Sequence, residues 1–221
     1  PVPAHRAPGF TMEVLVNGVP LTEYAARGTT YVEAIPEAEY SLRLTNSSPV
    51  RVAVALSVDG LNTIDAQTTS ARDARKWVLD PWQTVTITGW QTDQLNARKF
   101  FFTTEERSYG AWLGRTANLG VIEAVVFRER PRPPIITEKD RYAPGRGQPA
   151  APEAQQEQSR SGASRRAPVP DPTPSDEYAA TGIGREVSNP VYQVHLDLER
   201  HPSAQLRLRY EYRPQLVRLG V

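Results

Sequence analysis

One stretch, residues 50–65, constrains the fold of this chain more than any other. Apolar residues recur at every second position, which places them on one face of an extended strand: Val50, Val52, Val54, Leu56 and Val58. The intervening positions hold Arg51, Ala53, Ala55 and Ser57. This strict period of two predicts the core strand of a half-buried antiparallel sheet. Asp59 and Gly60 tolerate turn conformations, so they predict the end of that strand.

Similar short strands follow one another through residues 11–130. Asn17-Gly18 between two apolar runs predicts a hairpin with a two-residue type I′ turn. Nine strands are predicted, at 12–16, 19–24, 30–35, 39–45, 50–58, 77–79, 84–88, 98–103 and 119–130. The strands at 77–79 and 84–88 are predicted to pair as a second hairpin. The only short helix is predicted within 105–113. Because no amphipathic helix of about 10 to 15 residues separates the strands, an α/β fold is disfavoured. The pattern predicts an all-β fold, an antiparallel β-sandwich of jelly-roll or immunoglobulin-like type.

The composition divides the chain into four parts. Residues 1–10 form a proline-containing lead-in, predicted to be an extended arm, and residues 11–130 form the sandwich domain. Ten of the twenty prolines lie between residues 131 and 174. Residues 131–177 are rich in Pro, Ala, Gly, Ser, Gln and Arg and cannot bury enough apolar surface to offset their ordering entropy. They are predicted to form an extended Pro-rich linker, after which residues 178–221 return to a strand pattern.

Residues 178–221 are predicted to form a C-terminal β-hairpin. The turn is His201-Pro202-Ser203, and Gly182-Ile183-Gly184 before it is interpreted as a loop. A lone hairpin is marginally stable in water, so this one must dock on the chain's own sandwich or on a neighbouring subunit. Its apolar residues are therefore the predicted interaction residues: Val191, Val194, Leu196, Leu206, Leu208, Tyr210 and Tyr212.

Few residues suggest metal binding or catalysis. Asp59, Asn62 and Asp65 place three oxygen-bearing side chains within seven residues, as calcium prefers, but the spacing is not that of an EF-hand. A turn that ends the strand is the favoured interpretation, and the three residues are weak metal candidates. The chain has no cysteine, and its three histidines have no neighbours at zinc-ligand spacing. We predict no catalytic residues, no cofactor and no enzyme activity.

Charge and hydropathy narrow the range of partners. The formal net charge is +1, so nucleic acid is an unlikely partner, although Arg160, Arg165 and Arg166 form a small basic cluster. No run approaches the roughly 18 to 20 apolar residues that cross a bilayer, so no membrane span is predicted. The four tryptophans could stack on sugar rings if exposed, which keeps a glycan among the possible partners.

Several motifs occur together in this chain: YVEA at 31–34, SVDGLN at 57–62, GW at 89–90, FFFT at 100–103, GVI at 120–122, TGIG at 181–184 and YEYR at 210–213. As a set they resemble a widespread family of uncharacterised bacterial β-rich proteins. The resemblance covers both strand-rich blocks and leaves the Pro-rich middle free. It implies that residues 178–221 belong with the sandwich as one unit. The family has no established activity, so the resemblance implies no site residues.

The order of the parts leads to two functional hypotheses. The first is a non-enzymatic structural or assembly protein, a homo-oligomer or part of a larger assembly. The arm, linker and terminal hairpin would then contact neighbouring subunits, with strand addition to an exposed sheet edge as the binding mode. A cell-surface, filament or virion setting is favoured over the cytoplasm. The alternative is a glycan-binding β-sandwich module that uses exposed Trp and Tyr side chains.

Overall fold

The computed structural model describes residues 5–130 and 178–221, which form two β-sheets packed around a shared core. The strands are β1 (His5–Ala7), β2 (Phe10–Val16), β3 (Val19–Pro20), β4 (Glu23–Ala26), β5 (Thr29–Glu33), β6 (Glu39–Asn46), β7 (Val52–Val58), β8 (Leu61–Asn62), β9 (Trp77–Leu79), β10 (Thr84–Ile87), β11 (Gly89–Gln91), β12 (Asn96–Thr104), β13 (Val121–Arg128), β14 (Ala179–Ser188) and β15 (Ala204–Glu211). A 3-10 turn at Glu105–Arg107 precedes helix α1 (Tyr109–Trp112), and helix α2 (Arg213–Leu219) ends the chain. Across these described residues, no helix is long and apolar enough to span a membrane.

The first sheet runs in the order β1-β2-β6-β12-β11. Strand β10 also pairs with β6, β3 pairs with β2, and β14 pairs with β12. The second sheet runs in the order β4-β5-β15-β13-β7-β8, with β9 also paired to β7. Among the described strands, every pair is antiparallel except β5 with β15, which is parallel. The predicted all-β sandwich is therefore confirmed, with one parallel pair that the sequence did not predict.

The core lies between the two sheets and draws on both. The inward-facing residues of each strand alternate with outward-facing ones, as period-two patterns require. Examples are Met12, Leu44, Phe100 and Phe102 from the first sheet and Val54, Leu56, Ile122 and Leu208 from the second.

The hairpin at Asn17-Gly18 is confirmed. Asn17 has φ of 52° and Gly18 has φ of 79°, the left-handed values that a type I′ turn needs, and Val16 lies opposite Val19. The short helix predicted within 105–113 is also present, as the 3-10 turn and α1. It is not the only helix, because α2 follows β15.

Strand β7 is more deeply buried than predicted. Its inward face, from Val52 to Val58, enters the main core as expected. The other face is not solvated at its centre, because Ala55 packs with Ala74, Val125 and Phe127 in a second apolar cluster. The half-buried prediction is wrong here since a loop that contains Ala74 covers the outer side of the sheet.

The predicted pairing of residues 77–79 with 84–88 is also wrong. Strand β9 pairs with β7 in the second sheet, whereas β10 pairs with β6 in the first. The short connection at Asp80–Gln83 therefore crosses from one sheet to the other. Asn46 supports this corner, because its side-chain amide donates to the carbonyl oxygens of Val50 and Asp80.

The predicted C-terminal hairpin does not form. Residues 191–197 are not in a strand, and Leu198 makes only an isolated bridge to Glu129. The two strands of this region are β14 and β15, and they belong to different sheets. The Gly182-Ile183-Gly184 segment lies within β14 and is not a loop. The expectation that residues 178–221 form one unit with the sandwich is confirmed.

The ends of the sandwich differ from the predicted boundaries. Residues 5–7 of the predicted arm form β1, which pairs with β2, and Phe10 is already part of β2. Residues 1–4 and the predicted linker at 131–177 lie outside the described residues.

Candidate functional site

Strand β14 lies at an edge of the first sheet. One side pairs with β12, from Asn96 opposite Ser188 to Thr104 opposite Ala179, with a register shift between Arg98 and Phe100. Within residues 5–130 and 178–221, no strand pairs with its other side, which we call the β14 edge. The first half of β14 is buried, but the second half is largely exposed, and Ile183 is 38% exposed. An exposed strand edge presents backbone groups that another chain can pair with.

The backbone direction at this edge follows from the pairing of β12. The amide groups of Phe100 and Phe102 donate to the carbonyl oxygens of Thr88 and Ala38, away from β14. Their partners in β14 are Ile183 and Thr181, whose amide groups must point away from β12 for the same reason. The Thr181 amide is already bound by a buried carboxylate, whereas the Ile183 amide faces outward.

The glycines of β14 allow it to lie close against β12. A Cβ atom at Gly182 would lie 2.4 Å from the ring of Phe101, which packs over the glycine on the outer face. A Cβ atom at Gly184 would lie 2.8 Å from the carbonyl oxygen of Lys99. The TGIG motif is thus explained by the close approach of β14 to β12. Glycine in a strand often marks such a close approach of two backbones.

Aromatic side chains lie beside this edge and lead into the core. Trp112 in α1 is 76% exposed and stacks on Tyr109 with ring centroids 5.7 Å apart. Tyr109 contacts Trp90 edge-on at 5.0 Å, and the Trp90 indole donates to the carbonyl oxygen of Gly182. Tyr178, immediately before β14, is 61% exposed. Helix α1 therefore connects the surface near β14 to the buried aromatic core.

A buried carboxylate joins four separate parts of the sandwich. Asp59, at the turn after β7, is 2% exposed. Its Oδ1 accepts from the Gly120 amide at 2.8 Å and from the Tyr210 hydroxyl, and its Oδ2 accepts from the Thr181 amide at 2.7 Å. The Thr181 hydroxyl is 2.6 Å from the hydroxyls of both Tyr210 and Tyr40. We call Asp59, Thr181, Tyr210 and Tyr40 the Asp59 network.

Burial controls the ionisation of this network. Burial raises the pKa of Asp59 to about 7, although the hydrogen bonds from Tyr210, Thr181 and Gly120 oppose the change. Burial also raises the pKa of Tyr40 and of Tyr210 well above the usual tyrosine value, and the nearby Asp59 charge adds to both. The tyrosines are therefore neutral hydrogen-bonding groups, and Asp59 is the member that can change charge near neutral pH.

A cavity of about 220 Å³ lies on the outer face of the second sheet. Ser57, Glu123 and Arg207 occupy adjacent strands on its floor, and Gln67 and Thr69 line it from a loop. Gln205 donates to Glu123 at 2.7 Å. The lining combines apolar residues with polar ones and with one charge of each sign, but no nucleophile there has a base within hydrogen-bonding distance among the described residues.

The predicted interaction residues fall into two groups. Leu206, Leu208 and Tyr210 are at most 1% exposed and belong to the core of this chain, and Tyr212 packs against that core. Val191, Val194 and Leu196 lie in an irregular segment, where Val194 is 45% exposed. The first group is thus unavailable to a neighbouring subunit, because β15 is an interior strand between β5 and β13.

The three weak metal candidates have separate hydrogen-bond partners. Asp59 belongs to the network described above. Asn62 donates to the Arg75 carbonyl at 2.9 Å and accepts from the Ile64 amide, while Asp65 accepts from the Gln67 amide. In the parts of the chain that the structure describes, no group of three or more His, Cys, Asp or Glu residues could hold a metal ion.

The sequence identified Asp59 but not its partners. Asp59 stands out as a charged residue directly after an apolar strand, which was a usable signal. Thr181 and Tyr210 lie more than 120 positions away in the chain, and no local pattern connects them to Asp59. The β14 edge was missed because its two glycines conceal the strand pattern.

Residues 9–153 match a family described as a domain of unknown function, DUF7918. This match spans well over half of the chain. The chain belongs to this family. The resemblance to an uncharacterised family with no established activity is thereby confirmed. The matched range contains Asp59 and all of β2 to β13 and ends before β14 and β15. No curated protein and no solved structure matches the chain.

Proposed function

We propose that this protein is a non-enzymatic structural or assembly protein whose copies associate through the β14 edge. The exposed second half of β14, residues 183–188, whose outer side pairs with no described strand, is the observation that supports the proposal. Strand addition supplies affinity through backbone hydrogen bonds and does not require a preformed pocket. The β14 edge replaces the predicted C-terminal hairpin as the contact, since that hairpin does not form.

A second copy of the chain is the partner that the charge pattern of β14 favours. Arg185 and Glu186 are adjacent in the exposed half of the strand. In an antiparallel pair of β14 strands centred between them, Arg185 of one copy lies opposite Glu186 of the other, and opposite charges across such a pair are favourable. Within one chain these residues already contact Glu39 and Arg98, both exposed enough to be shared at an interface.

Replacing Ile183 with proline should weaken self-association by at least about tenfold. The substitution removes an outward-facing amide donor at the β14 edge, and one lost hydrogen bond costs about 1 kcal/mol in each copy. Proline is tolerated at edge strands when its nitrogen faces away from the neighbouring strand, so pairing with β12 should remain. Sedimentation velocity at increasing protein concentration measures the association.

The matched control is Ile183→Thr, which keeps both the amide donor and a β-branched side chain. This variant should associate as the unsubstituted protein does. If the unsubstituted protein remains a monomer at high concentration, the assembly proposal is wrong. Equal association of the proline and threonine variants would place the interface elsewhere on the molecule.

Two exposed tryptophans favour a second candidate function, glycan binding. Trp82 is 68% exposed and Trp112 is 76% exposed, whereas Trp90 is buried and Trp77 is partly buried. Large exposed aromatic rings are the side chains that stack on sugar rings. A sugar could stack on the exposed face of the Trp112 ring, and Tyr109 supports this ring by stacking on its other face.

Trp112→Ala should strongly weaken retention on any glycan that the protein binds through this surface. Large aromatic side chains dominate the energetics of the interfaces in which they are buried, so loss of the exposed indole removes the main apolar contact of this surface. A glycan array identifies the ligand, and Val217→Ala, at another exposed apolar position, serves as the control. An array without hits would remove this candidate.

A further inference from the structure

Asp59 connects the turn after β7 to the start of β13 and to the last two strands, β14 and β15. Its side chain binds the backbone just before β13, the first half of β14 and the end of β15. Its own amide donates to the Val121 carbonyl at 2.8 Å. The last two strands are thus attached to the turn after β7 by one buried carboxyl group.

The charge on Asp59 has no compensating cation nearby. On β15, Glu211 is paired with Arg209 at 3.4 Å, and Tyr210 is neutral. On β6 the facing titratable group is Tyr40, while β14 and the start of β13 contribute Thr181 and backbone amides. No ion pair to Asp59 exists among the described residues. A buried carboxylate without a cation is costly, and protonation removes that cost.

The hydroxyl groups of the network can serve both forms of the carboxyl group. When Asp59 is ionised, Tyr40 donates to Thr181, Thr181 to Tyr210, and Tyr210 to Asp59. When Asp59 is protonated, its proton can be donated to the Tyr210 oxygen and the direction of the chain reverses, which leaves the buried Tyr40 hydroxyl as an acceptor whose own proton has no partner among the described residues. Both backbone amides keep an acceptor oxygen. The reversal requires only hydroxyl rotations, and the gain from removing a buried charge is reduced by the cost of the unpaired Tyr40 proton.

We propose that protonation of Asp59 strengthens the attachment of β14 and β15 to the rest of the sandwich, so that the free energy of unfolding is higher in mild acid than at alkaline pH. The stability of the fold therefore depends on the protonation state of the Asp59 network. This effect is independent of whether the β14 edge binds a second copy.

The sign of the effect follows from the two protonation equilibria. The pKa of Asp59 is about 7 in the folded state, against an ordinary value of 3.8. Between these values the folded state binds more protons than the unfolded state, so stability falls as pH rises. The stabilisation is complete below about pH 4, is lost through about pH 7 and changes no further above it. The difference of about three pKa units corresponds to roughly a thousandfold change in the unfolding equilibrium.

The test uses the full chain and follows Asp59 directly. The ¹³Cγ chemical shift of Asp59 should titrate well above the ordinary aspartate range. Urea unfolding should show stability falling between about pH 5 and pH 7, with lower hydrogen-exchange protection of the Thr181 amide at the higher pH. An Asp59 signal that titrates in or below the ordinary range would overturn the proposal.

Three substitutions distinguish the titration of Asp59 from that of other groups. Tyr210→Phe removes a hydrogen bond that favours the ionised form and should move the titration to higher pH, whereas Tyr40→Phe, at the far end of the chain of hydroxyls, should move it less. Burial also raises the pKa of Glu211. In Glu211→Gln the pH dependence attributed to Asp59 should persist, and its disappearance in that variant would overturn the proposal.

Discussion

A chain that ends at Arg130 is expected not to fold, because the second sheet then lacks an interior strand. Strand β15 lies between β5 and β13, and its removal separates β4 and β5 from the rest of that sheet. The core also loses Leu206, Leu208 and Tyr210, each at most 1% exposed. Each of these three buried side chains contributes about 2 to 5 kcal/mol. Their combined loss is as large as the roughly 5 to 15 kcal/mol by which a typical domain is stable.

Circular dichroism and the dispersion of amide NMR signals measure this outcome. The truncated chain should show no cooperative thermal transition. Addition of a separate peptide of residues 178–221 should restore the transition, since β14 and β15 supply strands that the remaining sheets can pair with.

The control keeps every described residue and breaks the chain elsewhere. A protease site introduced within residues 131–177 can be cut after folding. The two fragments should remain together, because β14 pairs with β12 and β15 pairs with both β5 and β13. If the truncated chain melts cooperatively by itself, the last two strands are not required for the fold and this prediction is wrong.

Alternation along single strands made much of the fold predictable. The strand predicted at 39–45 has apolar residues at every second position, Tyr40, Leu42 and Leu44, and all three are at most 2% exposed in β6. In the strand predicted at 98–103, Phe100 and Phe102 are two positions apart and therefore share a face, and both are fully buried in β12. These predictions hold because side chains of a strand alternate between two environments, so a local pattern records which face is buried.

Partner choice between strands was not predictable from local pattern. Residues 77–79 and 84–88 have the spacing of a hairpin, yet Asn46 holds the intervening corner so that the strands enter different sheets. The parallel pairing of β5 with β15 joins residues about 180 positions apart. Such pairings depend on which surfaces remain uncovered after the whole chain has packed.

Glycine was misleading in β14 for a physical reason. Glycine is depleted in strands, so Gly182 and Gly184 favoured a loop. In the structure, the ring of Phe101 occupies the space that a side chain at position 182 would need. The requirement for glycine comes from a residue 81 positions earlier, and no single segment contains that information.

The difference between local sequence pattern and packing against distant residues also separates the two groups of predicted interaction residues. Leu208 and Val194 were assigned to the same hairpin surface on the same kind of evidence. Leu208 is fully buried in the core, whereas Val194 is 45% exposed outside any strand. Substitution of each by alanine therefore tests whether β15 is an interior strand of its own chain.

Leu208→Ala should lower the free energy of unfolding by about 2 to 5 kcal/mol, because it removes buried methyl groups and leaves a cavity. Val194→Ala, the matched control, should change it by no more than about 0.5 kcal/mol. Urea unfolding at several protein concentrations measures both. A dependence of the Leu208→Ala loss on protein concentration would mean that Leu208 contacts a second chain. A small loss that is the same for both variants would mean that β15 is not part of the core.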